Sequence, residues 1–109
     1  ERRILRDLPA LLRVTEDERF VTARHALQAL WKVGVAGEAQ RQALAAALAE
    51  RFEECAAEKN GSLIRYDILV ELRRVHDSAG EASIRGLAER LISSETDPKY
   101  RKKYAAAWR

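Results

Sequence analysis

Residues 62–77 read SLIRYDILVELRRVHD and residues 97–108 read DPKYRKKYAAAW. In the first stretch Leu63, Ile64, Ile68, Leu69, Leu72 and Val75 recur at the spacing of a single helix face, which predicts an amphipathic helix ending by Gly80. The second opens with Asp97 as N-cap and Pro98 at the first helical position, the best-formed helix start in the chain. Sliding one stretch on the other by 36 residues places Arg101 on Arg65, Tyr104 on Ile68 and Trp108 on Leu72. Two helices with one pattern, each preceded by another amphipathic segment, point to a repeated helical hairpin.

Working outward, RFVTARHALQALWKVG at 19–34 carries the same pattern: an offset of 42 aligns Leu27 with Leu69, Leu30 with Leu72 and Val33 with Val75. Thr15 through Glu18 form a T-x-x-E capping box ahead of that helix, and Gly34 ends it. The helices that precede each of these are read at about 2–14, with Ile4, Leu5, Leu8, Leu11 and Leu12 and Pro9 as a kink or the sign of a late start, at about 38–58, with Leu44, Leu48, Phe52 and Cys55 on its stripe, and around Ile84, Leu87, Leu91 and Ile92. Asn60-Gly61 stops the 38–58 helix, and no alternating segment competes for a strand. The expected architecture is all-α: one domain over 1–109, six helices, three degenerate hairpins at roughly 2–34, 38–77 and 81–109. A hairpin of 36–42 residues cannot bury its apolar side alone, so stacking supplies the core.

SLIRYDILVELRRVHD, DPKYRKKYAAAW and, more loosely, RFVTARHALQALWKVG resemble the second helix of HEAT repeats. In that family this helix follows an Asp-Pro-like turn and opens with an aliphatic residue and an arginine. Asp97 through Arg101 fit the turn, Ile64-Arg65 fit in part, and in the first unit Ala23 stands where the arginine belongs, with Arg24 one place later. The pattern is shared with armadillo repeats and other helical solenoids. The resemblance implies an α-α superhelix whose second helices line a concave face.

The bulk composition narrows the chemistry. A single cysteine, Cys55, forms no internal disulfide, and no apolar signal-type segment opens the chain, so a reducing cytoplasm is expected, with no membrane. Two histidines and one cysteine lie far apart without metal-ligand spacing, so no metal or other cofactor is expected. No methionine occurs, which reads as a piece of a longer protein; the excess of arginine over lysine and the abundant alanine reflect a bacterial-like genome composition. The net charge of +3 is local in origin, because residues 98–109 hold five cations and no acid, whereas residues 1–97 hold 15 cations against 17 acids.

At 100° per residue, with Leu30 and Leu72 aimed at the core, the far sides of the second helices hold a ladder: Arg24, His25, Gln28 and Lys32 with Trp31 beside them, then Tyr66, Asp67 and Arg74 with Arg73 beside them, then Lys102 and Lys103. Arginine and aromatic side chains anchor interfaces, so a non-catalytic scaffold that binds a protein partner is the leading expectation, with an exposed patch around Trp31 and Tyr66. A nucleic-acid-binding solenoid using the same cations is the alternative. Arg65, Arg101 and Asp97 are set apart as structural, with Asp67, Asp97 or Glu71 the candidate partners of the two guanidinium groups. For catalysis the residues are thin. Asp67, Glu71 and His76 share a helix as a conceivable acid–base set, but such pairs are routine on exposed helices, and an accessory enzyme of lyase or modification type would need a pocket gathering Asp67, His25 and Tyr66. Cys55 reads as a small buried hydrophobe, and Glu50, Glu54 and Glu58 as a solvated outer stripe.

Overall fold

The computed structural model describes residues 31–34 and 36–109. The helices read at 2–14 and 15–34 therefore lie outside the described residues, except for the last turn of the second, α1 (Trp31–Gly34). Four further helices follow: α2 (Glu38–Glu54), α3 (Gly61–Ala79), α4 (Ala82–Ser94) and α5 (Pro98–Ala106). The described residues are all-helical, with no strand among them. All four longer helices fall where apolar periodicity places them.

Local chemistry accounts for the boundaries. The α2 helix ends four residues short of the expected 58, in a tight turn over Cys55–Ala57, because the chain must reverse into Asn60 and Gly61. Asn60 takes the left-handed conformation (φ 62°), which asparagine tolerates better than most residues. At Gly61 a Cβ would lie 2.2 Å from the Cys55 carbonyl oxygen, so only glycine lets the two backbone strands of the turn approach. Gly61→Ala is expected to cost about 1–3 kcal/mol, as for overpacking a filled site; equal urea midpoints for variant and wild type would contradict this. Gly80, at φ 67°, ends α3 by donating its N–H to the His76 carbonyl. At α5 the Asp97 side chain accepts from the Lys99 N–H with Pro98 in the first turn, as the sequence predicts.

The core is built from the expected stripes. Leu44, Leu48, Phe52 and Cys55 of the α2 segment meet Ile64, Ile68, Leu69, Leu72 and Val75 of α3, with Ile84, Leu91 and Ile92 of α4 and Tyr104 and Trp108 closing the far side. Helix α3 lies at the centre and packs on α1, α2, α4 and α5. Helices α2 and α4 touch each other, as do α3 and α5.

Polar contacts give the direction of travel. Arg41, near the start of α2, pairs at 3.1 Å with Glu81 at the start of α4, so these two helices begin at the same end. The Tyr104 hydroxyl donates to the Ser62 carbonyl at 2.9 Å and the Trp108 indole N–H to the Leu69 carbonyl at 3.0 Å, so α5 runs along α3 in the same sense. These contacts span 40, 42 and 39 residues, the length of the unit read in the sequence. Ile68 and Tyr104, and Leu72 and Trp108, the pairs matched by the 36-residue offset, are all buried.

Candidate functional site

Two arginines hold the hairpin turns. The Arg65 Nε–H donates to the Phe52 carbonyl at the end of α2 (2.9 Å), and its Nη1 reaches Glu95 Oε1 at 3.1 Å, with the guanidinium 4.3 Å from the Phe52 ring centroid. Arg101, its counterpart in the next unit, donates Nη1–H to the Glu95 carbonyl at the end of α4 (3.4 Å). In both units an arginine from the second helix satisfies a carbonyl at the C-terminus of the first, where helix carbonyls lack partners and the helix dipole favours a cation. Arg65, Arg101 and Asp97, expected to be structural, all make contacts at helix ends. The acid that meets Arg65 is Glu95, however, and none of Asp67, Asp97 or Glu71. Glu95 sits in the turn between α4 and α5, where it also accepts from the Asp97 N–H at 3.1 Å. Sequence spacing gave no sign of it, because the pairing crosses 30 residues. Arg101 itself is exposed.

A cleft of about 390 Å³ opens beside this pair, between Gly61 and Ser62 at the start of α3 and the Glu95–Asp97 turn, with Tyr100 on its wall. Its charged groups are already engaged, Arg65 with Glu95 and the Asp97 carboxylate with the Lys99 N–H. A second recess of about 340 Å³ lies along the outer side of α4 and α5, against Arg85, Ile92 and the edge of Trp108.

The ladder is partly assembled. Arg24, His25 and Gln28 lie outside the described residues, as does the Trp31 side chain; Lys32 on α1 is exposed. Tyr66 and Lys103 come together across α3 and α5, the ammonium 5.1 Å from the ring centroid, with Lys102 exposed beside it. Arg74 is exposed, and its Nη1 lies 3.5 Å from a Glu71 oxygen. Arg73 is not displayed: its Nε–H donates to Asp77 at 2.9 Å, and its Nη1 reaches the Ala107 and Arg109 carbonyls beyond the end of α5. Asp67, which helical phase alone put on the open side, is 4% exposed, and Glu71 is fully buried. A helix with neighbours on several sides is covered over more than its apolar stripe.

Electrostatics follow these contacts. Burial pushes the Cys55 thiol up, keeping it protonated, and its S–H lies 3.5 Å from the Phe52 carbonyl. Burial likewise raises the Tyr104 phenol well above its ordinary value. Hydrogen bonding from Arg73 lowers the Asp77 carboxyl. Glu50, Glu54 and Glu58 are exposed as expected, but Glu58 also accepts from Arg51 Nη2 at 2.8 Å, and that bond lowers its carboxyl below the usual range. A folded-state value below the unfolded one contributes stability that is present above the usual glutamate range and lost as pH falls through the lowered value. Glu58→Gln is therefore expected to flatten the acid limb of the stability curve below the usual glutamate range, down to the lowered value, measured by urea midpoints; an unchanged slope there would contradict the pairing.

Among the described residues no group of three or more His, Cys, Asp or Glu side chains is placed to hold a metal ion, and no helix is long and apolar enough to cross a membrane. What fold and site define, over the described residues, is an all-helical domain in which Tyr66 of α3 meets Lys103 of α5, with Lys102 and Arg74 exposed. Comparison with protein families, curated proteins and solved structures finds no match to the chain.

Proposed function

We propose that this chain is a non-catalytic, cytoplasmic HEAT-like scaffold, a superhelix of three degenerate hairpins that binds a protein partner through the face made by its second helices. The observation that carries the reading is the seam between α3 and α5. Tyr66 and Val70, one turn apart on α3, are half-buried, Lys103 lies over the Tyr66 ring, and Lys102 and Lys103 are both exposed. An apolar floor with a polar rim is the anatomy of a protein interface. The superhelix is supported by the parallel course of α2 with α4 and of α3 with α5, at separations equal to the sequence unit, and by the repeated arginine at the hairpin turns. The non-catalytic reading is supported by the burial of Asp67 and Glu71, which takes the nearest acid–base pair away from any solvent-borne substrate.

A photo-crosslinking residue at Val70, compared with one at exposed Glu50 on α2, tests the reading in cells expressing the chain. A discrete protein adduct from position 70, absent from position 50, is the expected result. Nucleic-acid adducts from position 70 would instead establish the nucleic-acid-binding solenoid, which the exposed Lys32, Arg74, Lys102 and Lys103 favour. Such binding would weaken steeply as salt rises.

A further inference from the structure

We infer that the seam between α3 and α5 takes an acidic amphipathic peptide segment, its apolar side laid over Tyr66 and Val70 and its carboxylates toward Lys99, Lys102, Lys103 and Arg74. This deepens the protein-binding reading and rests on it.

Charge comes first. The α5 stretch from 98 to 109 has no acid, and Lys99 and Lys103, one turn apart, lie on one side of it. Neither makes an ion pair among the described residues: Lys103 sits over the Tyr66 ring and Lys99 over the Tyr100 ring at 5.5 Å. Lys102 is exposed. No carboxylate among the described residues pairs with Lys99, Lys102 or Lys103. Asp67 and Glu71 are buried in the packing of α3, and Asp77 is held by Arg73 at 2.9 Å. At the far end of the strip Arg74, one turn past Val70, keeps about half of its side chain exposed (51%) although it approaches Glu71. Cations thus stand at both ends of a short apolar strip.

The strip itself separates a peptide from a nucleic acid. Val70 is half-buried and stands apart from the hydrophobic core cluster, so its exposed methyl groups gain nothing from a phosphate backbone. They gain by burial under an aliphatic or aromatic side chain, and Tyr66 offers the partner a rigid ring whose rotamer is already fixed by packing on the core. A helix laid in this seam would need apolar residues at i, i+3, i+4 and i+7 toward Tyr66 and Val70, with acids on its flanks.

The test is a fluorescence-anisotropy titration of the 109-residue chain with a labelled helical peptide carrying leucines at that spacing and glutamate elsewhere. Its glutamine twin, a poly-glutamate peptide and a short DNA duplex serve as comparison probes, each at two salt concentrations. The leucine–glutamate peptide is expected to bind saturably, the glutamine and poly-glutamate peptides at least about tenfold more weakly, a difference of roughly 1.4 kcal/mol. The double variant Lys102→Glu/Lys103→Glu should lose at least about tenfold and Val70→Ser about threefold, since a rim charge and a partly covered methyl pair contribute unequally. All three substitutions are at exposed or half-exposed positions, and thermal melts confirm folding; if Val70→Ser fails to fold, the lysine variant and the poly-glutamate comparison still decide. Binding of poly-glutamate or DNA as tight as that of the leucine peptide, or binding unmoved by the lysine variant, overturns the inference in favour of a simple polyanion surface. Absence of any peptide binding also overturns it. Protein adducts from position 70 in the presence of that negative result leave the protein-binding reading standing, whereas loss of both overturns the reading as well.

Discussion

Trp108→Ala is expected to unfold the C-terminal hairpin first and to lower the stability of the whole domain by about 3–5 kcal/mol, the range for truncating a large buried aromatic. Trp108 is 5% exposed although it lies next to the end of the chain. Its indole N–H donates to the Leu69 carbonyl at 3.0 Å, its ring meets His76 at 5.5 Å between centroids, and the guanidinium groups of Arg73 and Arg85 lie 5.7 and 5.8 Å from the ring centroid. Removing the ring leaves a cavity between α3 and α5 and takes away the surface over which both arginines stack. Domains of this size lose several degrees of melting temperature per kcal/mol, so the midpoint should fall on the order of 15 °C. Trp108→Phe separates the contributions: it keeps most of the burial and removes only the hydrogen bond, so a loss of about 1 kcal/mol is expected. A midpoint for Trp108→Ala within a degree or two of wild type would show that the aromatic does not tie α5 down.

The second large effect belongs to Arg65→Ala. Its ion pair with Glu95 is almost dry, the two side chains being 13% and 10% exposed. Deleting one member of such a pair leaves a buried charge without its counterpart and costs about 3–5 kcal/mol. Here the Phe52 carbonyl also loses its donor and the Phe52 ring its cation, while Cys55 and the reversal at Gly61 lie directly beneath. Arg65→Lys is not expected to rescue the loss. A single ammonium cannot serve the Phe52 carbonyl and the Glu95 carboxylate in the fixed fork that a guanidinium presents. Pairing Arg65→Met with Glu95→Gln should recover part of the deficit, because the unpaired charge goes with its partner, and a double-mutant cycle by urea denaturation measures that coupling. Additive losses in the cycle would show that the two side chains act independently. Neither substitution touches Val70, Lys102 or Lys103, so peptide binding measured well below the lowered melting midpoint should survive in both variants.

Helix positions were legible in the sequence because periodicity and end signals are local. Leu44, Leu48, Phe52 and Cys55, then Ile64, Ile68, Leu72 and Val75, needed only a 3.6-residue period to be placed on one side, and all are buried. Asp97-Pro98 and Asn60-Gly61 marked their boundaries through φ preference and capping, which involve a few neighbouring residues. Burial of Ile68 and Tyr104 and of Leu72 and Trp108, the positions aligned by the 36-residue offset, was legible too from their place on the apolar side of each helix.

The open side of α3 was legible only in part. Helical phase gives an angle about one axis and says nothing of how many neighbours close around it. Tyr66 and Lys103 reach each other, whereas Asp67, the next residue along the helix, is buried and Arg73 turns to serve the carbonyls beyond α5. Glu95 as the partner of Arg65 was likewise beyond reach, because an ion pair across 30 residues depends on where two separate turns come to rest. The sequence by itself determined which of the described segments are helical and which side of each is apolar. The tertiary structure decided which polar groups stay in water, since that depends on the summed approach of several helices and on no spacing within any one of them.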